Sequence, residues 1–152
     1  MRQALWALLL VAAAAGAQPP DYRLLPRAIA PGSWVIEGAV DDFSRANGCN
    51  IINTAFIGTG AGTLVINTGP SRLYGEQQRR AIATTAPGPV QRVLSLNLHP
   101  DYFFGHQAWA DVPTEALAGS IAGMQAEGRA YADNLYRLCG DWMAGTESTP
   151  AR

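Results

Sequence analysis

Both histidines of the 152-residue chain fall in one short segment. The stretch VLSLNLHPDYFFGHQAW, residues 93–109, begins as an apolar strand and turns polar at Asn97-Leu98-His99-Pro100-Asp101-Tyr102, with His106 close behind. Imidazole nitrogen and carboxylate oxygen are donors that suit zinc, and a catalytic zinc needs about three of them. The segment therefore reads as a metal site, the remnant of one, or a loop that happens to hold two histidines. Each residue also has a structural role open to it. His99 can cap the strand end or bond a backbone carbonyl. Asp101 after Pro100 is a natural turn or N-cap residue. Tyr102 fits a semi-buried aromatic with its hydroxyl at a cleft, and His106 fits a helix start.

The elements that must position this segment follow from periodicity. SWVIEG, from Ser33, reads as a first short strand. NIINTAFIG (50–58) and TLVINT (63–68) are β-rich runs joined by Thr59-Gly60-Ala61-Gly62, the composition of a hairpin connection. Asn67-Thr68-Gly69-Pro70-Ser71 is a sharp turn, in which Asn67 suits a tight backbone. Ser71 is the expected N-cap of a helix, RLYGEQQRRAIATT, with Leu73, Ala81 and Ile82 as its apolar stripe. Pro87-Gly88-Pro89 ends that helix, and VQRVLSLNL (90–98) returns as a strand. Strand, helix and strand with short connections make a βαβ unit and a parallel pair. The polar cluster then lies at the end of a strand, where open α/β sheets place their ligands. ADVPTEALAGS holds a further short strand. IAGMQAEGRAYADNLYRLCGDWM reads as a helix buried through Ile121, Met124, Leu135, Leu138 and Trp142. The tail GTESTPAR is polar and expected to be loose.

MRQALWALLLVAAAAGAQPP has an early Arg2, an apolar run from Ala4 to Ala15 and the small-residue site Ala15-Gly16-Ala17. It reads as a secretory signal peptide over residues 1–17, too short for a spanning helix. Residues 18–30 are rich in proline and read as a linker, and 31–152 as one domain. The expected location is periplasmic or secreted. All eleven basic residues are arginine and the formal net charge is −1. Neither a nucleic-acid footprint nor a basic membrane patch is present, so a small molecule or another protein is the expected partner. Cys49 and Cys139 can form one disulfide in an oxidising compartment or remain two buried thiols.

A hairpin, a V-I-D-T-G-P turn, a helix, a strand and then H-x-H-x-D-H followed by F-x-G-N form the first half of a metallo-β-lactamase-fold hydrolase. Here the turn stands as Val65-Ile66-Asn67-Thr68-Gly69-Pro70, and the second motif as Asn97 to Tyr102 with Phe103-Phe104-Gly105-His106. More narrowly, NGCNIINTAFIGT, VINTGPSRLYGEQQRRAI, HPDYFFGHQAWADVP and YADNLYRLCGDWMAGTE resemble the exported quinoprotein relay system zinc metallohydrolases, over most of residues 31–147. The resemblance implies an α/β (α+β) fold: a β-hairpin plus a βαβ half, an incomplete αββα sandwich. It implies zinc as cofactor, with His99 and Asp101 as ligands. Asp101 would also serve catalysis by orienting, or accepting a proton from, a metal-bound water whose pKa falls toward ~7.

Against that pattern, Asn97 stands for the first motif histidine and Tyr102 for the third. An amide oxygen is a neutral, weak donor, and a phenol with pKa ~10 must lose its proton to bind well. His106, where the pattern has Asn, is a third weak candidate. Asn67 replaces an aspartate that supports the site from behind, a kind of change that costs ~10–100-fold in metal affinity. The second half of the family fold, with its remaining ligands, has no counterpart in these residues. Three readings follow: a metallohydrolase-like protein associated with pyrroloquinoline-quinone (PQQ) dehydrogenases; a non-catalytic periplasmic binding or accessory module that pairs with a quinoprotein dehydrogenase or with itself; and a truncated gene product.

Overall fold

In the computed structural model of the chain, residues 20–86 and 88–151 are described. The signal-peptide expectation falls on residues outside them. Six strands form one sheet in sequential order: β1 (Arg27–Ala30), β2 (Ser33–Ile36), β3 (Thr54–Thr59), β4 (Gly62–Ile66), β5 (Val90–Ser95) and β6 (Thr114–Ala116). The first four pair antiparallel, whereas β4 with β5 and β5 with β6 run parallel. The β3–β4 hairpin turns at Thr59-Gly60-Ala61-Gly62, with Thr59 and Gly62 paired across it. The crossover from β4 to β5 is α1 (Arg72–Thr85), with the expected bounds and with Ser71 Oγ accepting from Tyr74 N–H as N-cap. The α/β (α+β) expectation of a hairpin followed by a βαβ unit holds.

Strand alternation divides the sheet into two faces. On one, Trp34, Phe56, Val65, Val93 and Thr114 stand in register across β2 to β6. Phe56, Val65, Val93 and Ile36 form a core there with Ile82 of α1, with Ala86 at its C-cap and with Trp109, which ends the 3-10 segment Phe104–Trp109. On the other face the matching row is Val35, Ala55, Ile66 and Leu94, flanked by Ile57 and Leu64. None of these six side chains is part of either buried core.

The second core lies beyond the sheet. Phe103 of α2 (Pro100–Phe103) and Phe104 pack with Met124 and Leu135 of α3 (Ala118–Cys139), with Met143 and with Ala151. Ile121, Leu138 and Trp142, expected on the buried face of this helix, pack against the same cluster. Cys49 and Cys139 are joined by a disulfide through its centre, their Cα atoms 5.9 Å apart. Among the described residues no helix is long and apolar enough to cross a membrane.

Four local expectations are corrected. Residues 20–30, read as a linker, lie against the domain. Arg27 and Ala28 pair with Val35 and Trp34, and the Tyr22 hydroxyl meets Gly48 O and Ser71 Oγ at 2.9 Å each. The tail is not loose either: Thr146 Oγ1 accepts from Arg72 N–H, Glu147 N–H donates to Gln107 Oε1, and Ala151 is buried. Helix α1 buries Tyr74, Gly75, Gln78 and Ile82, whereas Leu73 and Ala81 are only partly covered. Tyr74 and Gln78 enter the interior because each finds a partner, Thr54 Oγ1 at 2.9 Å and Asn67 O at 3.0 Å. Strand β5 stops at Ser95, three residues early, because side chains take over the backbone partners: Leu96 N–H donates to Asn67 Oδ1 and Ser95 Oγ donates to Asn97 O.

The disulfide spans 90 residues of sequence. Loop-closure entropy for a loop of that length corresponds to about 4.6 kcal/mol. Reduction, or Cys139→Ser, is therefore expected to lower the urea midpoint by that order of free energy; an unchanged midpoint would show that the bridge does not constrain the unfolded chain.

Candidate functional site

The turn after β4 and the loop after β5 meet at the C-terminal edge of the parallel pair. Backbone bonds zip them together: Thr68 N–H donates to Tyr102 O at 2.9 Å and Gly105 N–H to Gly69 O at 3.1 Å. The contact is close enough that a Cβ on Gly105 would lie 2.0 Å from Thr68 O. Asn67 locks the same junction from within. It is buried, with a left-handed φ of 58°, and its Oδ1 accepts from Leu96 N–H at 3.0 Å. The Asn tolerance for that backbone region explains why this residue type can serve here. Asn67, Leu96 and Tyr102, with Val40, Ile52 and Asn53, border a cleft of about 560 Å³. A larger hollow of about 770 Å³ lies elsewhere, between residues 20–25 and the outer side of α1.

The expected site residues are distributed around this junction rather than gathered in it. His99 is exposed at the N-cap of α2, with no side-chain capping bond, and its ring lies 6.4 Å from that of Tyr131. Asp101 is buried in the first turn of α2, and its Oδ1 has no protein partner. Burial pushes its carboxyl above the usual range, while a backbone N–H bond and the neighbouring His99 pull the other way. Asn97 is engaged locally, its Oδ1 accepting from His99 N–H at 3.3 Å. Tyr102 is half-buried at the cleft, as expected, and its carbonyl holds Thr68.

His106 goes elsewhere. It sits inside the 3-10 segment rather than at a helix start, is fully buried, and its Nδ1 pairs with Thr149 O at 3.1 Å. A carbonyl partner requires the proton on Nδ1, which leaves Nε2 as a lone pair without a protein partner. It lines a separate cavity of about 420 Å³ with Trp109, Asp111 and Thr149. Asp111 is tied by its carboxylate to Arg79, whose guanidinium lies over the Trp109 ring, and this pairing holds the Asp111 carboxyl below its usual range.

The donor set does not fit a zinc ion. Among the described residues no three His, Cys, Asp or Glu side chains converge on one point. Asn97 and Tyr102 bring neutral groups, and His106 faces a different cavity. Such a set supports no hydrolytic step through a metal. Sequence reasoning missed the clasp formed by Gly69 and Gly105, and the burial of Trp109. The G-P of the turn and the F-G before His106 were the available signals for the clasp.

Gly105→Ala is expected to destabilise the fold by about 2 kcal/mol or more, since a backbone carbonyl cannot give way as a side chain can; a calorimetric melt close to the parent's would refute the clasp. Burial holds the His106 imidazole down at about 4 from an ordinary 6.5. Between those values the unfolded chain binds a proton that the folded chain does not, so stability falls as pH drops from about 6.5 to about 4. Urea unfolding at about pH 7 and about pH 5 should show this loss, and His106→Gln should reduce it.

No protein-family model matches the chain, and no curated protein does. Solved structures do. A metallo-beta-lactamase from Pontibacter korlensis superposes with a TM-score of 0.59 at 18% identity, over 70% of this chain and 49% of that one. FIM-1 from Pseudomonas aeruginosa, solved in its mono-zinc form, gives 0.59 at 20% identity, over 90% and 52%. A metallo beta lactamase from Hirschia baltica gives 0.57 at 17%, over 85% and 50%. The chain spans about half the length of the structures it matches. At these identities the superpositions establish architecture alone: the chain adopts part of the metallo-β-lactamase fold.

Proposed function

We propose that the chain is a non-catalytic, metallohydrolase-like module of the periplasm that works as a binding or accessory part of a quinoprotein (PQQ) dehydrogenase system. The fold is hydrolase-like, and the narrower association rests on the sequence resemblance of the hairpin, turn, helix and Tyr131–Glu147 segments. The observation that carries the non-catalytic reading is the state of the donor loop. His99 lies beside Tyr131 at the surface, Asn97 is bonded to its own loop, Tyr102 holds the turn through its carbonyl, and His106 is paired with the tail. Only Asp101 keeps a buried carboxylate oxygen free. A lone carboxylate cannot supply the three protein ligands of a catalytic zinc site.

That unpartnered oxygen favours a second reading, a metal-dependent hydrolase whose missing donors come from another polypeptide. Metal analysis of the chain alone tests whether its own residues hold zinc. Purified chain, exposed to excess zinc and desalted, is expected to retain far less than one zinc per chain and to hydrolyse neither ester nor thioester substrates. Near-stoichiometric zinc that disappears in Asp101→Asn and His99→Ala would overturn the non-catalytic reading.

A further inference from the structure

Leu73 and Ala81, expected in the buried stripe of α1, are only partly covered, and they share their side of the helix with Gln77, Arg80 and Thr84. These positions recur every three or four residues and form one stripe. The stripe is one wall of the hollow of about 770 Å³, and residues 20–25 are the other. The hollow lies on the helix side of the sheet, so it is independent of whatever covers the row of Val35, Ala55, Ile66 and Leu94. Its second wall is fixed. Gln77 Nε2 donates to Pro20 O at 3.1 Å, and Gln77 Oε1 accepts from Tyr22 N–H at 2.9 Å. Tyr22 turns inward between the rings of Tyr74 and Trp142, and Leu24 packs on the sheet core. Asp21, Arg23 and Leu25 alternate with them and face outward, Leu25 with 81% of its surface exposed. Arg23 holds a left-handed φ of 51°, fixed by its N–H donating to Asp21 Oδ1 at 2.9 Å.

The polar groups of this groove are mostly engaged. The Gln77 amide is bonded at both ends, the Thr84 hydroxyl donates to Ala81 O at 3.0 Å, and Asp21 accepts the Arg23 N–H. Two guanidiniums are not. Arg27, Arg72, Arg79 and Arg92 each have a carboxylate partner, whereas among the described residues Arg23 and Arg80 have none. Positive charge beside aliphatic surface is what the groove offers. We propose that it docks an extended, acidic segment of a partner protein, with carboxylates on Arg23 and Arg80 and aliphatic side chains on Leu25, Leu73 and Ala81. The proposal rests on the accessory-module reading for the partner's being a protein. From Leu73 to Thr84 the stripe is about 16 Å long, the span of about five extended residues. The groove is open to solvent along its length, whereas a site for a free fatty acid or other small carboxylate encloses most of its ligand. A peptide can keep its outer side in water.

So small a contact is transient, with a Kd on the order of 100 µM. Titration of the full chain with an end-capped peptide of about five residues, alternating aspartate and leucine, tests it by amide NMR. Shifts are expected at residues 20–25 and 73–84. Affinity should fall about threefold or more between about 20 mM and about 150 mM salt, as screening of exposed charge requires. Arg23→Gln and Arg80→Gln should each weaken binding about threefold, and Ala81→Glu about tenfold or more by repelling the peptide. Arg129→Gln, at an exposed position of α3, should leave it unchanged. The salt dependence is a property of the parent chain, so the test holds even where a variant fails to fold. Four results would each overturn the proposal: no binding, equal binding of the same peptide with asparagine for aspartate, sodium decanoate shifting these residues while the peptide does not, or residues 1–19 found in the groove of the free chain. Zinc retention does not enter this readout, so failure here and failure of the accessory-module reading are told apart.

Discussion

The fold depends on the clasp between two loops at one edge of the sheet. Thr68 and Gly105 donate to Tyr102 and Gly69, and no side chain lies between the two backbones. Everything carried by the loop after β5 inherits its position from this contact. Asn67 contributes from below by taking the Leu96 N–H that would otherwise continue the strand. An aspartate there would keep the acceptor but lose the amide nitrogen that approaches Asn53 O at 3.5 Å. The amide thus serves the turn itself, a structural role that suits the residue type actually present.

The two cores are held in different ways. The sheet core is built from alternating strand residues against α1 and Trp109, on elements that follow one another along the chain. The second core gathers the Cys49 loop, α2, α3 and the tail, which sequence separates widely. A covalent bridge and several tail hydrogen bonds offset the loop-closure cost of assembling them. The tail in turn buries His106 by offering Thr149 O to its ring, so the second histidine is consumed by packing.

The site shows the difference between having donor residues and presenting them. His99 and Asp101 are two residues apart, yet one side chain is exposed and the other buried. The short helix beginning at Pro100 separates them, because successive positions on a helical turn point in different directions. The structure of FIM-1, in its mono-zinc form, shares the architecture over 90% of this chain. Shared architecture positions a loop, but the side chains on that loop decide what it can hold.

The sequence by itself determined the local elements: the hairpin at Thr59–Gly62, the cap at Ser71, the bounds of α1 and the parallel return of β5. These rest on interactions within a few residues, and their signals are read in short windows. It also determined the inventory of donors, two histidines and one nearby carboxylate in a loop. Only the tertiary structure decided that Cys49 meets Cys139, that residues 20–30 and the tail lie against the domain, and that His106 turns from the cleft toward Thr149. The disulfide, the Tyr22–Ser71 bond and the His106–Thr149 bond join residues 43 to 90 positions apart, and the path of the chain between them, rather than any local pattern, brings them together.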